Sequence, residues 1–259
     1  MIYKSRTQAK KETGLSYLGS VNMTSKHKKG FNYKELNYSL YLSPADSSGY
    51  EVCPGRTEEC TRLCLNESGK NTMPQKVKGD IINTARIKKT RLFVEEREFF
   101  TRWIIDEIRA AKAKVDKLGY GFSVRINNTS DINPARLFIE SNYQEHGTIG
   151  KNILEVFPDV QFYDYTKIIS RINLSKLYPN YDITFSYTGY NLPECLDLLS
   201  KGVRVAMVFK EVPEEYMGYK VIDGDLFDGR FKDEKNDIVG LKFKRVRNKL
   251  ETTDKFVIQ

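Results

Sequence analysis

Tyr38-Ser39-Leu40-Tyr41-Leu42 leads, through a stretch rich in Pro, Ser, Asp and Gly, to Cys53-Pro54-Gly55-Arg56-Thr57-Glu58-Glu59-Cys60-Thr61-Arg62-Leu63-Cys64. The first five residues alternate with period two and predict a strand. The cysteines follow directly, so they fall on the loop beyond that strand's carboxyl end. Their spacing is C-x6-C-x3-C, and they are three of the chain's four cysteines. Thiols on one loop can converge on a soft metal without distant parts of the fold moving. Three ligands would leave one position open to His, Asp, water or substrate. The polar, basic start Met1-Ile2-Tyr3-Lys4-Ser5-Arg6 carries no apolar signal core, so the expectation is a cytoplasmic chain with reduced thiols. Cys195 lies in a helical stretch with Leu196, Leu198 and Leu199 and reads as core, with a fourth ligand as the alternative.

Outward from this loop, the pattern alternates strand and helix. Further strands are predicted at Phe122–Ile126, Val160–Tyr165, Ile183–Tyr187, Val203–Phe209, Tyr219–Ile222 and Ile238–Phe243. Between Met73 and Leu118 the residues Phe100, Ile104, Ile108, Ala111, Val115 and Leu118 recur at helical spacing, with Gly119 as the stop signal. Helical spacers are expected at 134–156, 168–177 and 192–201. About seven strands with crossover connections predict an α/β fold: a complete or partial parallel (βα) barrel, or alternatively an open doubly wound sheet. The domain expectation is a basic N-terminal arm over 1–30 and one barrel-like domain over 31–259. No G-x-G-x-x-G or G-x4-G-K-[ST] loop follows any strand, which excludes the usual dinucleotide and P-loop readings. No apolar run approaches the roughly 20 residues of a membrane helix.

The strands end in polar residues that buried strands do not otherwise need. Asn127, Ser130 and Asp131 follow one strand, Asp164 and Lys167 another, then Ser186, Lys210 and Asp223. In a parallel sheet these ends share a rim, where the cysteine loop also sits. Asp131 and Asp164 are candidate acid/base or orienting groups with Ser130 beside them. Lys167 and Lys210 are candidates for holding phosphate, and Asn127, Ser186, Lys210 and Asp223 for binding a cofactor. Simpler roles exist for each: Asp131 could cap the next helix, and Asp164 could pair with Lys167 or an arginine. His27 and His146 are the only histidines and fit no Ser/His/Asp or paired-His pattern. An excess of 42 Lys and Arg over 34 Asp and Glu gives a formal charge of +8 and favours a phosphate-rich partner, DNA or RNA. Lys88, Lys89 and Arg91, just after the cysteine loop, are the expected phosphate contacts.

Several segments together resemble the gene-product-88 family of tailed phages. They are Ser48-Gly49-Tyr50-Glu51-Val52-Cys53-Pro54 with the later cysteines, Ala85-Arg86-Ile87-Lys88-Lys89-Thr90-Arg91, Arg125 through Asp131, Phe162 through Lys167, and Asp223-Gly224-Asp225 through Val239-Gly240-Leu241-Lys242. The resemblance implies a phage protein in the cytoplasm of an infected bacterium and carries no established activity. The architecture is also similar to radical S-adenosylmethionine enzymes, which hold a [4Fe-4S] cluster on three cysteines after the first strand. Their common spacing is C-x3-C-x2-C, and their glycine-rich cofactor segment is not seen here. Phage transglycosylases that exchange DNA guanine for a 7-deazaguanine offer a third comparison, with Asp131 and Asp164 in the aspartate roles.

The expected function is a phage enzyme that modifies nucleic acid or nucleotides. Cys53, Cys60 and Cys64 would hold zinc or a [4Fe-4S] cluster, with S-adenosylmethionine as a possible co-ligand. The alternatives are a DNA guanine transglycosylase, or a non-catalytic nucleic-acid-binding or host-takeover protein with a structural zinc.

Overall fold

The computed structural model describes residues 1–21, 28–64, 79–140, 150–244 and 255–259. Ten strands form one sheet: β1 (Gly19–Val21), β2 (Glu35–Leu40), β3 (Gly121–Arg125), β4 (Gln161–Thr166), β5 (Tyr181–Ser186), β6 (Val205–Phe209), β7 (Glu215–Tyr216), β8 (Tyr219–Asp223), β9 (Ile238–Lys242) and β10 (Val257–Ile258). The order is β1-β2-β3-β4-β5-β6-β9-β8-β7. From β2 to β8 every neighbouring pair is parallel, while β1 and β7 are antiparallel additions at the two edges. β10 runs parallel to β6 at Val208 and Phe209, beyond the stretch of β6 that β5 covers.

The seven predicted strands all form; six lie within two residues of their expected ends, and β2 starts three residues earlier than expected, at Glu35. Among the described residues the sheet is open: no strand pair joins its two edges. It nevertheless bends far enough for the segment after β8 to reach the opposite side. Tyr33, just before β2, stacks on Phe227 at 4.4 Å between ring centroids, and Lys232 pairs with Glu35 of β2 at 3.2 Å. Arg125 of β3 binds both oxygens of Asp228, at 3.1 and 2.9 Å.

Strand alternation gives the two faces opposite characters. Val124, Ile126, Phe162, Ile183, Phe185, Val205, Met207, Phe209 and Ile238 belong to the main apolar core. The long helix over Arg97–Asp116 contributes Phe100, Ile104 and Ile108 to that core at the expected helical spacing, and Val115 is buried on the same stripe. The other face is polar: Asn37 donates to Ser123 at 3.5 Å, Tyr163 donates to Asp228 at 2.8 Å, and Arg125 lies 4.6 Å over the Tyr165 ring. This inner face is why polar residues interrupt strands that are otherwise Val, Ile and Phe.

Three expectations require correction. Residues 1–21 do not stand apart as an arm. Ser5 caps a helix over Arg6–Thr13, Ala9, Leu15 and Leu18 are buried, Tyr3 donates to Asp106 at 2.6 Å, and β1 pairs with β2. Residues 22–27, with Lys26 and His27, lie outside the described set, as does His146. Leu118 leaves the buried stripe and is 59% exposed, because the helix stops at Asp116 and Gly119 turns left-handed at φ +67°. Within the 134–156 spacer residues 141–149 lie outside the described set, and the described residues are not one helix: Asn133 caps a 3-10 turn at Pro134–Arg136, Phe138 bridges to Asn152, and Ile153–Val156 is α-helix. The 168–177 spacer is helical as expected, a 3-10 segment over Ile169–Asn173 running into an α-helix over Leu174–Leu177.

Core truncation should therefore discriminate sharply along one helix. Ile104→Ala is expected to cost about 2–5 kcal/mol in denaturant unfolding, whereas Leu118→Ala should change stability by less than about 0.5 kcal/mol.

Candidate functional site

The loop after β2 and the loop after β3 are tied together before either reaches the rim. Asn128 donates to the Leu40 carbonyl at 3.1 Å, Thr129 to the Leu42 carbonyl at 2.6 Å, and the Asp131 amide to the Val52 carbonyl at 2.7 Å. Arg56 organises the cysteine loop itself through Glu51 (2.8 Å), Asp46 (3.0 Å) and Thr61 (3.0 Å). Thr57 then caps a one-turn helix, Glu58–Arg62, by accepting from the Cys60 amide at 3.2 Å. Gly55 is needed for close approach: a β-carbon there would lie 2.8 Å from Cβ of Lys167 and 3.2 Å from its carbonyl carbon.

These loops border a cavity of about 440 Å³ at the carboxyl ends of the parallel strands. Cys53, Cys60, Cys64, Lys167, Arg125 and Ser186 all line it, as do Asn127, Ser130 and Asp131. All four cysteines are free thiols. Cys53 receives the Ala45 amide at 3.3 Å, and burial pushes its thiol up to about 12. Cys195 is buried in the core, far from titrating at neutral pH for the same reason. Burial disfavours the Lys167 ammonium, but the nearby Cys60, Asp131, Cys53 and Cys64 outweigh that and raise its pKa. No carboxylate stands within ion-pair distance of this ammonium among the described residues.

The donor chemistry of three thiols on one cavity suits a soft metal. Their placement does not form a ready site: among the described residues no group of three or more His, Cys, Asp or Glu side chains could hold an ion as it stands.

Asp131 borders the cavity, but its carboxylate is already engaged. Thr166 Oγ1 and the Lys167 amide each donate to it at 2.9 Å, and Arg171 forms an ion pair with it. Asp164 lies on the opposite, apolar face and is 1% exposed. It accepts from the Asn127 amide (2.8 Å), the Asn127 side chain (2.9 Å) and Tyr181 (3.0 Å). Burial raises its pKa, against the opposing pull of Arg171 and the Asn127 donors. The two aspartates thus do not face each other across the cavity, because alternation along β4 sends Tyr163 and Tyr165 inward and Asp164 outward. Asn127 is held by Asp164 and Ile132, and Ser130 donates to Asn127 at 2.9 Å. Lys210 and Asp223 are exposed and do not line the cavity.

The basic trio after the cysteine loop is split. Lys88 and Arg91 are exposed, with Arg91 donating to the Ser48 carbonyl at 3.1 Å. Lys89 is buried over the Tyr17 ring at 4.7 Å. Sequence reasoning missed two groups of the cavity wall. Arg125 and Asp228 form the main ion pair of the inner face, and the signal was an arginine inside a strand, which needs a carboxylate. Asp228-Gly229 had the look of a turn. Arg86, 5.2 Å over the Tyr41 ring, is the other.

A mostly parallel α/β sheet with a thiol-rimmed cavity at its carboxyl edge is the class that fold and site define. The chain belongs to the Gene product 88 family, whose model matches residues 4–258, and the family points to a bacteriophage origin. No curated protein and no solved structure matches it. Among the described residues no helix is long and apolar enough to cross a membrane.

Burial lowers the Lys89 pKa from 10.5 to about 8, with Arg86 adding to the effect and Glu107 opposing it. Between those values the unfolded chain holds more protons, so stability rises with pH there and the full cost is felt below pH 8. Lys89→Met should stabilise the protein at pH 7 by about 1–3 kcal/mol. In thermal melts that gain should shrink as pH is raised through this window.

Proposed function

We propose that this chain is a phage enzyme that modifies nucleic acid or nucleotides in the cytoplasm of the infected bacterium, with its reaction centre in the thiol-rimmed cavity. One observation carries the reading: Cys53, Cys60 and Cys64 open onto the same cavity as Lys167 and Arg125. Such a cavity, at the carboxyl ends of parallel strands, is the usual place for a ligand in α/β proteins. The finer architecture that goes with it is a partial (βα) barrel, with the segment after β8 filling the gap left by strand pairing.

In this reading Lys167 holds an anionic group such as phosphate, since its ammonium stays charged and, among the described residues, has no carboxylate within ion-pair distance. Asp131 is a positioning residue that fixes Lys167 through its backbone amide. Ser130, Asn127 and Ser186 supply polar lining, and Asp164 supports the rim from the far face. The thiols take up zinc or a [4Fe-4S] cluster on loading, which requires the sulfurs to draw together; S-adenosylmethionine is the co-ligand that the cluster alternative implies. The transglycosylase comparison called for two aspartates at one pocket, and Asp164 is turned away from it.

Anaerobic purification followed by reconstitution with iron and sulfide, or with zinc, tests the thiol assignment. One metal centre per chain is expected, lost in Cys53→Ser, Cys60→Ser and Cys64→Ser alike but kept in Cys195→Ser. Wild-type protein that takes up neither metal would overturn it. Zinc whose loss unfolds the chain, with no chemical change in DNA, RNA or nucleotides by mass spectrometry, would instead favour the binding or host-takeover alternative. Where turnover is found, Lys167→Ala and Asp131→Asn should each lower it, the latter on the order of 10²-fold through misplacement of Lys167.

A further inference from the structure

The end of the sheet opposite the cavity carries a second surface. A 3-10 turn, Lys29–Tyr33, precedes β2, and the backbone turns left-handed at Lys34 (φ +49°) to enter it. The loop that enters β3 lies alongside, since the Gly121 amide donates to the Lys34 carbonyl at 2.8 Å. Large aromatic rings face outward here. Phe31 is 48% exposed; Tyr33 is 47% exposed, with one face stacked on Phe227 and the other open; and half-buried Tyr120 meets Phe31 edge-on with centroids 6.2 Å apart. Lysines surround them: Lys28, Lys34 and Lys117 are exposed. None of these three ammonium groups has a carboxylate partner among the described residues. The nearby acids are already matched, Glu35 by Lys232 and Asp116 by Lys112.

Exposed rings between unpaired lysines combine two attractions that one class of ligand satisfies together. The rings offer stacking faces to unpaired bases, and the ammonium groups offer counter-charge to a phosphate backbone. A duplex hides its base faces and could use only the charges. We propose that Phe31, Tyr33 and Tyr120, framed by Lys28, Lys34 and Lys117, form a docking surface for single-stranded nucleic acid. The surface lies at the amino ends of β2 and β3, so it does not depend on the thiol cavity or its loading.

Fluorescence anisotropy with metal-free, thiol-reduced full chain tests this, using a labelled oligothymidylate of about 20 nucleotides and a duplex of equal length between about 50 and 200 mM salt. The single strand is expected to bind more tightly than the duplex. Phe31→Ala should weaken it about five- to hundredfold with little change in salt slope. Lys34→Gln and Lys117→Gln should each lower the slope of log K against log salt by about 0.7. These two exposed-site variants keep the test decisive should Phe31→Ala lose stability. Absence of binding at the lowest salt, a duplex bound as tightly as the single strand, or binding indifferent to all three substitutions would each overturn the proposal. Binding to anionic lipid vesicles but not to oligonucleotide would overturn it equally.

Discussion

One guanidinium holds the carboxyl rim together. Arg171 is 4% exposed and pairs with Asp131 through one nitrogen, while its other terminal nitrogen donates to Tyr181 at 2.5 Å and approaches Asp164 at 3.9 Å. Through Asp131 it fixes the loop after β3 to the Lys167 amide, and through Asp164 and Tyr181 it ties β3, β4 and β5. Two carboxylates and one cation out of water are tolerable only because nearly every oxygen is also hydrogen-bonded. Removing the arginine would leave two buried acids without their counter-charge, which typically costs about 3–5 kcal/mol. Among the cavity-lining groups, Asn127, Asp131 and Lys167 connect directly to that arrangement.

The sheet's two faces divide the labour. Its outer face packs Phe162, Phe185 and Met207 into the core that includes Trp103 and Ile104. Its inner face carries Arg125, Tyr163 and Tyr165, with Asp228 delivered from beyond β8 to neutralise the arginine. The cost of burying Arg125 is thereby met by a segment 103 residues away in sequence, and the same pairing holds the curved sheet against its own far edge. Above this polar floor the thiol loop is held by Arg56, and by the contact of Gly55 with Lys167. The C-terminal residues close one side: Lys255 and Phe256 donate their amides to Glu59, next to Cys60, at 2.9 and 2.8 Å.

Much of this was legible in the chain. Period-two runs located all seven strands of the parallel set, because each is long enough to show alternation. β1, β7 and β10, at two or three residues, are too short to carry a period. Parity along β4 opposes Asp164 to Tyr163 and Tyr165, but parity cannot say which face is the core; that follows from where the helix over Arg97–Asp116 packs. The pairing of Arg125 with Asp228 and the burial of Lys89 depend on tertiary contacts with no local signature. Cys195, set among leucines, was readable as core because a thiol without neighbouring donors behaves as a small apolar side chain.

The account's central claim is that Cys53, Cys60 and Cys64 act as one site on one cavity. X-ray absorption at the metal edge of reconstituted protein measures this most directly. For zinc, three protein sulfur neighbours at roughly 2.3 Å are predicted; for a [4Fe-4S] cluster, the three cysteines would each bind a different iron, one protein sulfur apiece beside the cluster's own sulfides. Zinc with one sulfur neighbour or none, or a metal or cluster whose uptake and absorption spectrum are unchanged by Cys60→Ser, would contradict it.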